Sequence, residues 1–479
     1  MSTQSGALTL RLGIVALVGL CAATTVWAET AREWADRFVV ALNTGDPAVI
    51  LRFAEGSEAA QGQMFGLYQE VGPLAIEAER DGVFWARGTA TESIVGIKPA
   101  DQRGRWVLGG LRRGGAPLRA APRKAMKPDD FSRYVSDWLG RATREGFFSG
   151  AVGVSRPDGP DLFGAFGLAD RESGRGMTPD TPVRIGSTTK MFVAAAVLRL
   201  AQDGALRLDE PMSRLIPEYP AHIASKVTIH HLLTHTSGIE MDGDEEFNRL
   251  VRESRTLDDV LEAHVARIEH MNGGRYADFQ PLTRHDYSNE NYDLLGIVIE
   301  RAGGRRWTEY IAQEVFARAG MERSGFVDES HPNDRLAVGY SFREEGGGYV
   351  IGPRRRVDAE VSRTARPAGS AFSTTTDLLR FGEALLGHRL LDKARTDLMF
   401  APHAPVMSVP EFTRAYGYGA VIHTAGGVTT VGHSGSFYGL GSAFEIEPAT
   451  GAIVVVLSNF DGWNAQGAAA HLWELVRAE

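Results

Sequence analysis

The segment from Met191 to Ala201 reads MFVAAAVLRLA, and it constrains the fold more than any other stretch. It is rich in helix formers and apolar almost all round, so it predicts a helix buried on most sides and closed at Asp203-Gly204. At 479 residues and 43% hydrophobic, the chain has the material for large cores, and its length suggests two or three domains. Ser187-Thr188-Thr189-Lys190 leads into this helix. Residues at i and i+3 share a helical face, so the Ser187 hydroxyl and the Lys190 amine can meet without help from distant structure. They would meet in the first turn, where unpaired N–H groups and the helix dipole favour a developing negative charge. Taken alone, the same pattern also describes a capped helix start followed by a solvated lysine.

The formal charge of −9 gives no reason to expect a nucleic-acid partner, because neutralising phosphates calls for a basic surface. Basic clusters are local: Arg112, Arg113, Arg119, Arg123, Lys124 and Lys127 fall in a Gly/Pro/Ala-rich stretch, and Arg354-Arg355-Arg356 follow Gly352-Pro353. Both read as solvated linker or loop. Residues 1–28 read as an export signal, with Arg11 as the positive flank, Leu12 to Ala23 as the apolar core and Val26-Trp27-Ala28 as a small-residue cleavage site. The apolar run is shorter than the roughly 20 residues a spanning helix needs, so the mature form is expected to have no stable membrane span and to be periplasmic or secreted. Cleavage there would also remove Cys21, the only cysteine, and with it any disulfide, thiol nucleophile or thiolate metal site.

Along the chain, residues 29–112 form a first unit. Ala31 to Asn43 carries a helical stripe, and runs at Gly82–Ala86, Ser93–Ile97 and Arg105–Gly109 read as strands. Residues 113–128, with Gly114-Gly115, Pro117, Pro122 and Pro128, are the linker, and the larger unit is 129–479. That unit opens with an amphipathic helix from Phe131 to Glu145 and two strands around Arg156-Pro157-Asp158-Gly159-Pro160. It becomes mainly helical after Asp203 and returns to short strands between Gly417 and Asn459. Strands at both ends with helices between them imply an α+β fold: one antiparallel sheet flanked by helices with an inserted all-helical subdomain, preceded by a small α+β domain.

Two further motifs carry chemistry. Tyr287-Ser288-Asn289 sets a phenol and an amide at the entry of a second apolar helix, Tyr292 to Ala302. A phenol is a poor base unless a cation such as Lys190 favours its phenolate, whereas an amide can both donate to a substrate carbonyl and accept from a substrate N–H. Gly432-His433-Ser434-Gly435-Ser436 lies between Gly-rich strands, where glycine lets a substrate approach the backbone and an unpaired N–H can serve an oxyanion. Other candidates are weaker. His231 and His235 are four residues apart, but H-L-L-T-H lacks the Glu of the H-E-x-x-H zinc motif, so no metal site and no cofactor are expected. His235 reads as stabilising a helix end, and Ala368 to Thr374 as a turn and cap with a packing role.

In order and spacing, the three motifs resemble the serine β-lactamase and penicillin-binding-protein-like family, in its class C β-lactamase, D-alanyl-D-alanine carboxypeptidase and esterase branch. The stretches "VTIHHLLTHTSGI", "YSNENYDLLGIVIERAGG" and "GHSGSFYGLGSAFEIEPATGAIVVVLSN" extend the resemblance over about 350 residues. Residues around "ALNTGDPAVILRFA" resemble the opening of the NTF2-like, or SnoaL-like, fold. The first resemblance implies an acyl-enzyme hydrolase. Ser187 would be the nucleophile, Lys190 its activator, Tyr287 the general base in acylation, and Asn289 the residue that orients the substrate. The backbone N–H groups of Ser187 and Ser436 would form the oxyanion hole, with His433 and Gly435 beside the substrate. The substrate would be a small ester, peptide or lactam.

One departure bears on that choice. Where β-lactamases of this kind carry Lys-Thr-Gly, this chain has His433-Ser434-Gly435. A histidine of ordinary pKa is only about a quarter protonated at pH 7 and holds a substrate carboxylate less well than a lysine. The expectation is therefore an esterase or D-amino-acid peptidase, with β-lactamase activity and a non-hydrolytic, penicillin-binding sensor as alternatives.

Overall fold

The computed structural model describes residues 30–477 apart from 47–48, 51–57, 81, 103–104, 114–127, 158, 160, 240–244, 271–278, 328–332, 334, 343–353, 358–363, 410–411 and 462–463. The export segment and the linker core therefore lie outside the described residues.

The first unit is a four-stranded antiparallel sheet, Leu74–Arg80, Val83–Gly88, Ile94–Gln102 and Arg105–Arg113 in that order, covered by helices Ala31–Asn43 and Glu58–Val71. Thr30 starts the first helix with a capping box: its hydroxyl accepts from Glu33 N at 3.2 Å, and Glu33 Oε2 accepts from Thr30 N at 2.8 Å. The buried face of that helix sets Trp34, Phe38 and Leu42 against Leu74, Phe84, Val95 and Ile97.

The larger unit is built on an eight-stranded antiparallel sheet. Its order runs Ala404–Val409, Phe412–Tyr416, Val421–Ala425, Val428–Phe437, Leu440–Glu447, Ala452–Ser458, Gly150–Ser155 and Leu162–Phe166, so strands from both ends of the unit meet side by side. The Ala452–Ser458 strand, AIVVVLS, is buried throughout, and its period of two divides the core. Ala452, Val454 and Val456 join the terminal helices, with Trp138 and Leu472, on one face. Ile453, Val455 and Leu457 join the central helices, with Phe192 and Phe381, on the other. The chain between these strands is mainly helical and also holds short strand pairs, among them Gly339–Ser341 with Arg355–Val357.

The Thr189–Gln202 helix lies at the centre, buried on nearly every face as its composition requires. Phe192 meets Phe316 and Phe381 edge-on at 5.0 and 4.8 Å between ring centroids.

The two units meet through charged groups. Arg87 pairs with Glu474 of the closing helix at 3.2 Å. Arg354 donates to Gln69 O of the first unit at 3.0 Å and to Gly146 O of the second at 2.7 Å. Arg354 is only 8% exposed and its guanidinium lies over the rings of Phe342 and Phe460, which corrects the reading of this arginine run as solvated loop. Arg355 and Arg356 are exposed, but they belong to the Arg355–Val357 strand rather than to a loop.

Candidate active site

Ser187 sits in a single 3-10 turn, Gly186–Thr188, directly before the central helix. Gly186 has φ +52, and a Cβ there would come within 3.4 Å of Gly435 Cα and Ser436 N. The turn is fastened from two sides. Thr188 Oγ1 contacts Ser442 Oγ at 2.9 Å and His433 O at 3.3 Å, while Ser442 Oγ donates to Ile185 O at 2.7 Å. On the other side Ile185 N donates to Ala371 O at 3.0 Å, and Thr189 Oγ1 accepts from Ala371 N at 3.1 Å.

Lys190 is fully buried, and its Nζ has three acceptors: Asn289 Oδ1 at 2.8 Å, Ala368 O at 2.8 Å and Ser187 Oγ at 3.2 Å. Burial pulls its pKa down to about 7, against the raising influence of Asp293 and Glu290 and with a further lowering from Arg366. Asp293 cannot hold the ammonium charged because its carboxylate already pairs with Arg366, whose Nε is 3.1 Å from Oδ1. The assignment of Ala368 to Thr374 to packing thus needs correction: this turn supplies one of the lysine's acceptors.

Tyr287 lies beside the same amine, with Lys190 Nζ 4.9 Å from its ring centroid and the Ser187 side chain acting on its hydroxyl. The residue keeps 42% of its surface open. Even so, desolvation of the hydroxyl end pushes the phenol above its ordinary pKa, and the Ser187 side chain offsets this only in part. The ammonium faces the ring rather than the oxygen and its own charge is disfavoured, so it does little to draw the phenol toward the phenolate. Asn289, the first residue of the Asn289–Gly303 helix, spends its carbonyl on Lys190. Only the N–H half of its amide remains for a substrate.

The Val428–Phe437 strand forms the opposite wall. Its neighbour Val421–Ala425 pairs with it only over Val428–Gly432, so residues 433–437 lack a partner on that side and press against the serine turn. Gly435 is required by this approach: a Cβ would lie 2.0 Å from Ile185 O. The glycine accommodates protein backbone rather than substrate. Ser436 follows it, exposed at the cleft.

His433 departs from its expectation as well. It is 6% exposed, its Nε2 lies 3.0 Å from Tyr416 Oη and its Nδ1 2.7 Å from Ser434 O. Burial first, and Lys190 second, lower its pKa to about 3, so it is neutral at pH 7 rather than a quarter charged. His235 ends the Ile229–Thr234 helix in a left-handed conformation, but its buried ring is directed at Ser288 N and Tyr416 Oη. Burial holds it neutral too, so it does not act as a charge on the helix dipole. Sequence reasoning gave no role to Tyr416 or Ser442, and to Ala368 only one in packing. Only the repeated Y-G of Tyr416-Gly417-Tyr418-Gly419 hinted that this strand end carries more than packing.

A half-buried serine at the mouth of a buried helix, with a lysine amine against its hydroxyl, is the arrangement of a serine hydrolase. Comparison with known proteins agrees. The family model described as Beta-lactamase matches residues 129–478, and the chain belongs to that family. Esterase EstB of Burkholderia gladioli is 33% identical over 361 residues, covering 67% of this chain and 88% of the esterase. Penicillin-binding protein 4 of Amycolatopsis lactamdurans is 28% identical over 306 residues, covering 62% of this chain and 76% of its own. Among solved structures, D-amino acid amidase from Ochrobactrum anthropi SV3 with D-phenylalanine gives a TM-score of 0.61 at 25% identity, over 72% of this chain and 98% of the amidase. The first unit lies outside the matched residues.

Proposed function

We propose that the protein is an exported hydrolase of uncharged esters or peptide amides that works through an acyl-Ser187 intermediate. The observation that carries this reading is the environment of Lys190. Asn289 Oδ1 and Ala368 O can only accept, so a neutral amine donates its two hydrogens to them and directs its lone pair at Ser187 Oγ. With a pKa of about 7, much of the amine is in that form at neutral pH.

Lys190 takes the Ser187 proton as Oγ bonds to the substrate carbonyl carbon. The charge that moves onto the carbonyl oxygen is met by the backbone N–H groups of Ser187 and Ser436. Tyr287, which stays protonated beside Ser187, passes a proton to the leaving alcohol or amine and is reprotonated from Lys190. The carbonyl re-forms as the leaving group departs. Water then attacks the acyl-enzyme, its proton returns through the same pair, and the acid is released. This division makes Lys190 the base and Tyr287 the proton donor, the reverse of the sequence-based assignment.

The neutral, buried His433 offers no charge for a substrate carboxylate, which argues for esters and amides over β-lactams. The esterase and D-amino acid amidase among the relatives support the same class. Export rests on the signal-like pattern of residues 1–28. Intact-protein mass spectrometry after treatment with a fluorophosphonate should give one adduct that maps to Ser187 and vanishes in Ser187→Ala. A wild type that stays unlabelled and turns over no p-nitrophenyl ester would sink the reading.

A further inference from the structure

We propose that His235 and Tyr416 are positioning residues, which set the separation of the two cleft walls through one continuous chain of hydrogen bonds. The inference rests on the acyl-enzyme reading and concerns residues outside its three motifs.

The directions at the two ends of the chain are fixed by groups that have only one role, and the proposal has the central Tyr416 hydroxyl, which also meets Tyr292, donate toward His433. Ser288 N–H is a donor, so His235 Nδ1, 3.1 Å away, is the acceptor and the proton of that ring is on Nε2. Nε2–H then donates to Tyr416 Oη at 3.2 Å. At the far end Ser434 O only accepts, so His433 Nδ1, at 2.7 Å, carries the proton and Nε2 is bare. Tyr416 O–H donates to that nitrogen at 3.0 Å. The Asn291 amide agrees with this order: its carbonyl accepts from Ser237 Oγ at 2.7 Å, which turns its N–H2 toward His235 Nδ1 at 3.4 Å.

The two ends of the chain are the two walls of the site. Ser288 is the residue between Tyr287 and Asn289, and the His235 ring also lies against Tyr287 with centroids 4.3 Å apart. Ser434 lies in the strand segment, unpaired on its Val421–Ala425 side, that leads to Ser436, and the carbonyl of His433 is tied to Thr188 beside the nucleophile at 3.3 Å. Phenol, amide and oxyanion donors are thereby held at one spacing from Ser187. Both imidazoles are buried and neutral, so the chain persists unchanged while Lys190 titrates. A neutral, fully satisfied network also adds no charge that would disturb that lysine.

Tyr416→Phe removes the central hydroxyl and keeps the ring. His235→Asn keeps an acceptor near Ser288 N and loses the donor to Tyr416. Each variant should lower kcat on a p-nitrophenyl ester by about 10²-fold with little change in KM, because a small displacement of positioned groups costs that much. The acidic limb of the pH profile should stay in place. The double variant should be no slower than the slower single one, since both break the same link. Wild-type kcat in Tyr416→Phe, or losses that multiply in the double variant, would overturn the proposal. Nitrogen-15 NMR of histidine-labelled wild type reads the chain without turnover, and so separates its failure from that of the acyl-enzyme reading. The expected result is Nε2–H on His235 and Nδ1–H on His433; the same tautomer on both rings would overturn the proposal, whatever the fate of the variants.

Discussion

Lys190 Nζ lies 2.8 Å from the carbonyl oxygen of Ala368, a residue 178 positions further along the chain. That backbone carbonyl and the Asn289 side chain together orient the amine, and in the proposed mechanism this orientation directs its lone pair at Ser187.

The pH profile should follow from this. Only the uncharged amine offers a lone pair, and its fraction rises with pH, so kcat/KM for a neutral ester should climb through a midpoint near 7. Glu290→Gln removes an influence that raises the lysine, so its midpoint should move to lower pH. Tyr287→Phe should lose about 10²- to 10⁴-fold in rate, the usual worth of a positioned acid, and keep the limb where it is. A limb that vanished with Tyr287 instead would assign the titration to the phenol.

Substrate charge gives a second test. A histidine of ordinary pKa would gain charge between pH 8 and pH 5 and improve an anionic substrate relative to a neutral one. His433, held down to about 3, stays neutral across that range. The ratio of kcat/KM for nitrocefin to that for p-nitrophenyl acetate should therefore be flat from pH 8 to pH 5, since the Lys190 limb cancels in the ratio. A ratio that grew on acidification would show His433 protonating in the cleft.

Gly435→Ala should be costly twice over. The added methyl would lie 2.0 Å from Ile185 O, so strand and serine turn must separate. Overpacking of this kind costs about 1–3 kcal/mol, and displacement of an oxyanion donor about 10²-fold in kcat. Calorimetry and ester kinetics should both register the change, whereas Gly427→Ala, where a Cβ meets nothing within 4 Å, should affect stability through its φ of +84 and leave kcat alone.

Arg354→Met tests the seam between the two units. The substitution leaves Gln69 O and Gly146 O without their donor, each worth about 1–3 kcal/mol if it stays unsatisfied. A lower Tm is expected, with the melting of the first unit separating from that of the second in calorimetry. An unchanged single transition would mean that the seam holds without Arg354.

Local patterns made much of this protein legible. The all-round apolar run after Lys190 predicted an interior helix, and the β-branched run AIVVVLS between Gly451 and Asn459 a short strand. Ser187, Lys190, Tyr287 and Asn289 were visible because each sits at the start of such a helix, where sequence spacing alone fixes which side chains share a turn. Arg354, Ala368 and Tyr416 were not visible. Their partners are far away in sequence, and two of the three act on, or through, backbone carbonyls that carry no side-chain signature.

Protonation states divide in the same way. From the sequence, Lys190 was a charged amine, Tyr287 a phenol to be ionised by it, and His433 a partly charged imidazole. Burial moved each of these toward its neutral form, because the loss of water penalises every charged form and the carboxylates of Asp293 and Glu290 raise Lys190 by less than burial lowers it. The sequence by itself thus determined which chemical groups the protein brings to its cleft, since helix periodicity and strand alternation act over a few residues. Only the tertiary structure decided which of those groups hold a proton, because desolvation and hydrogen-bond direction depend on what the fold packs around them.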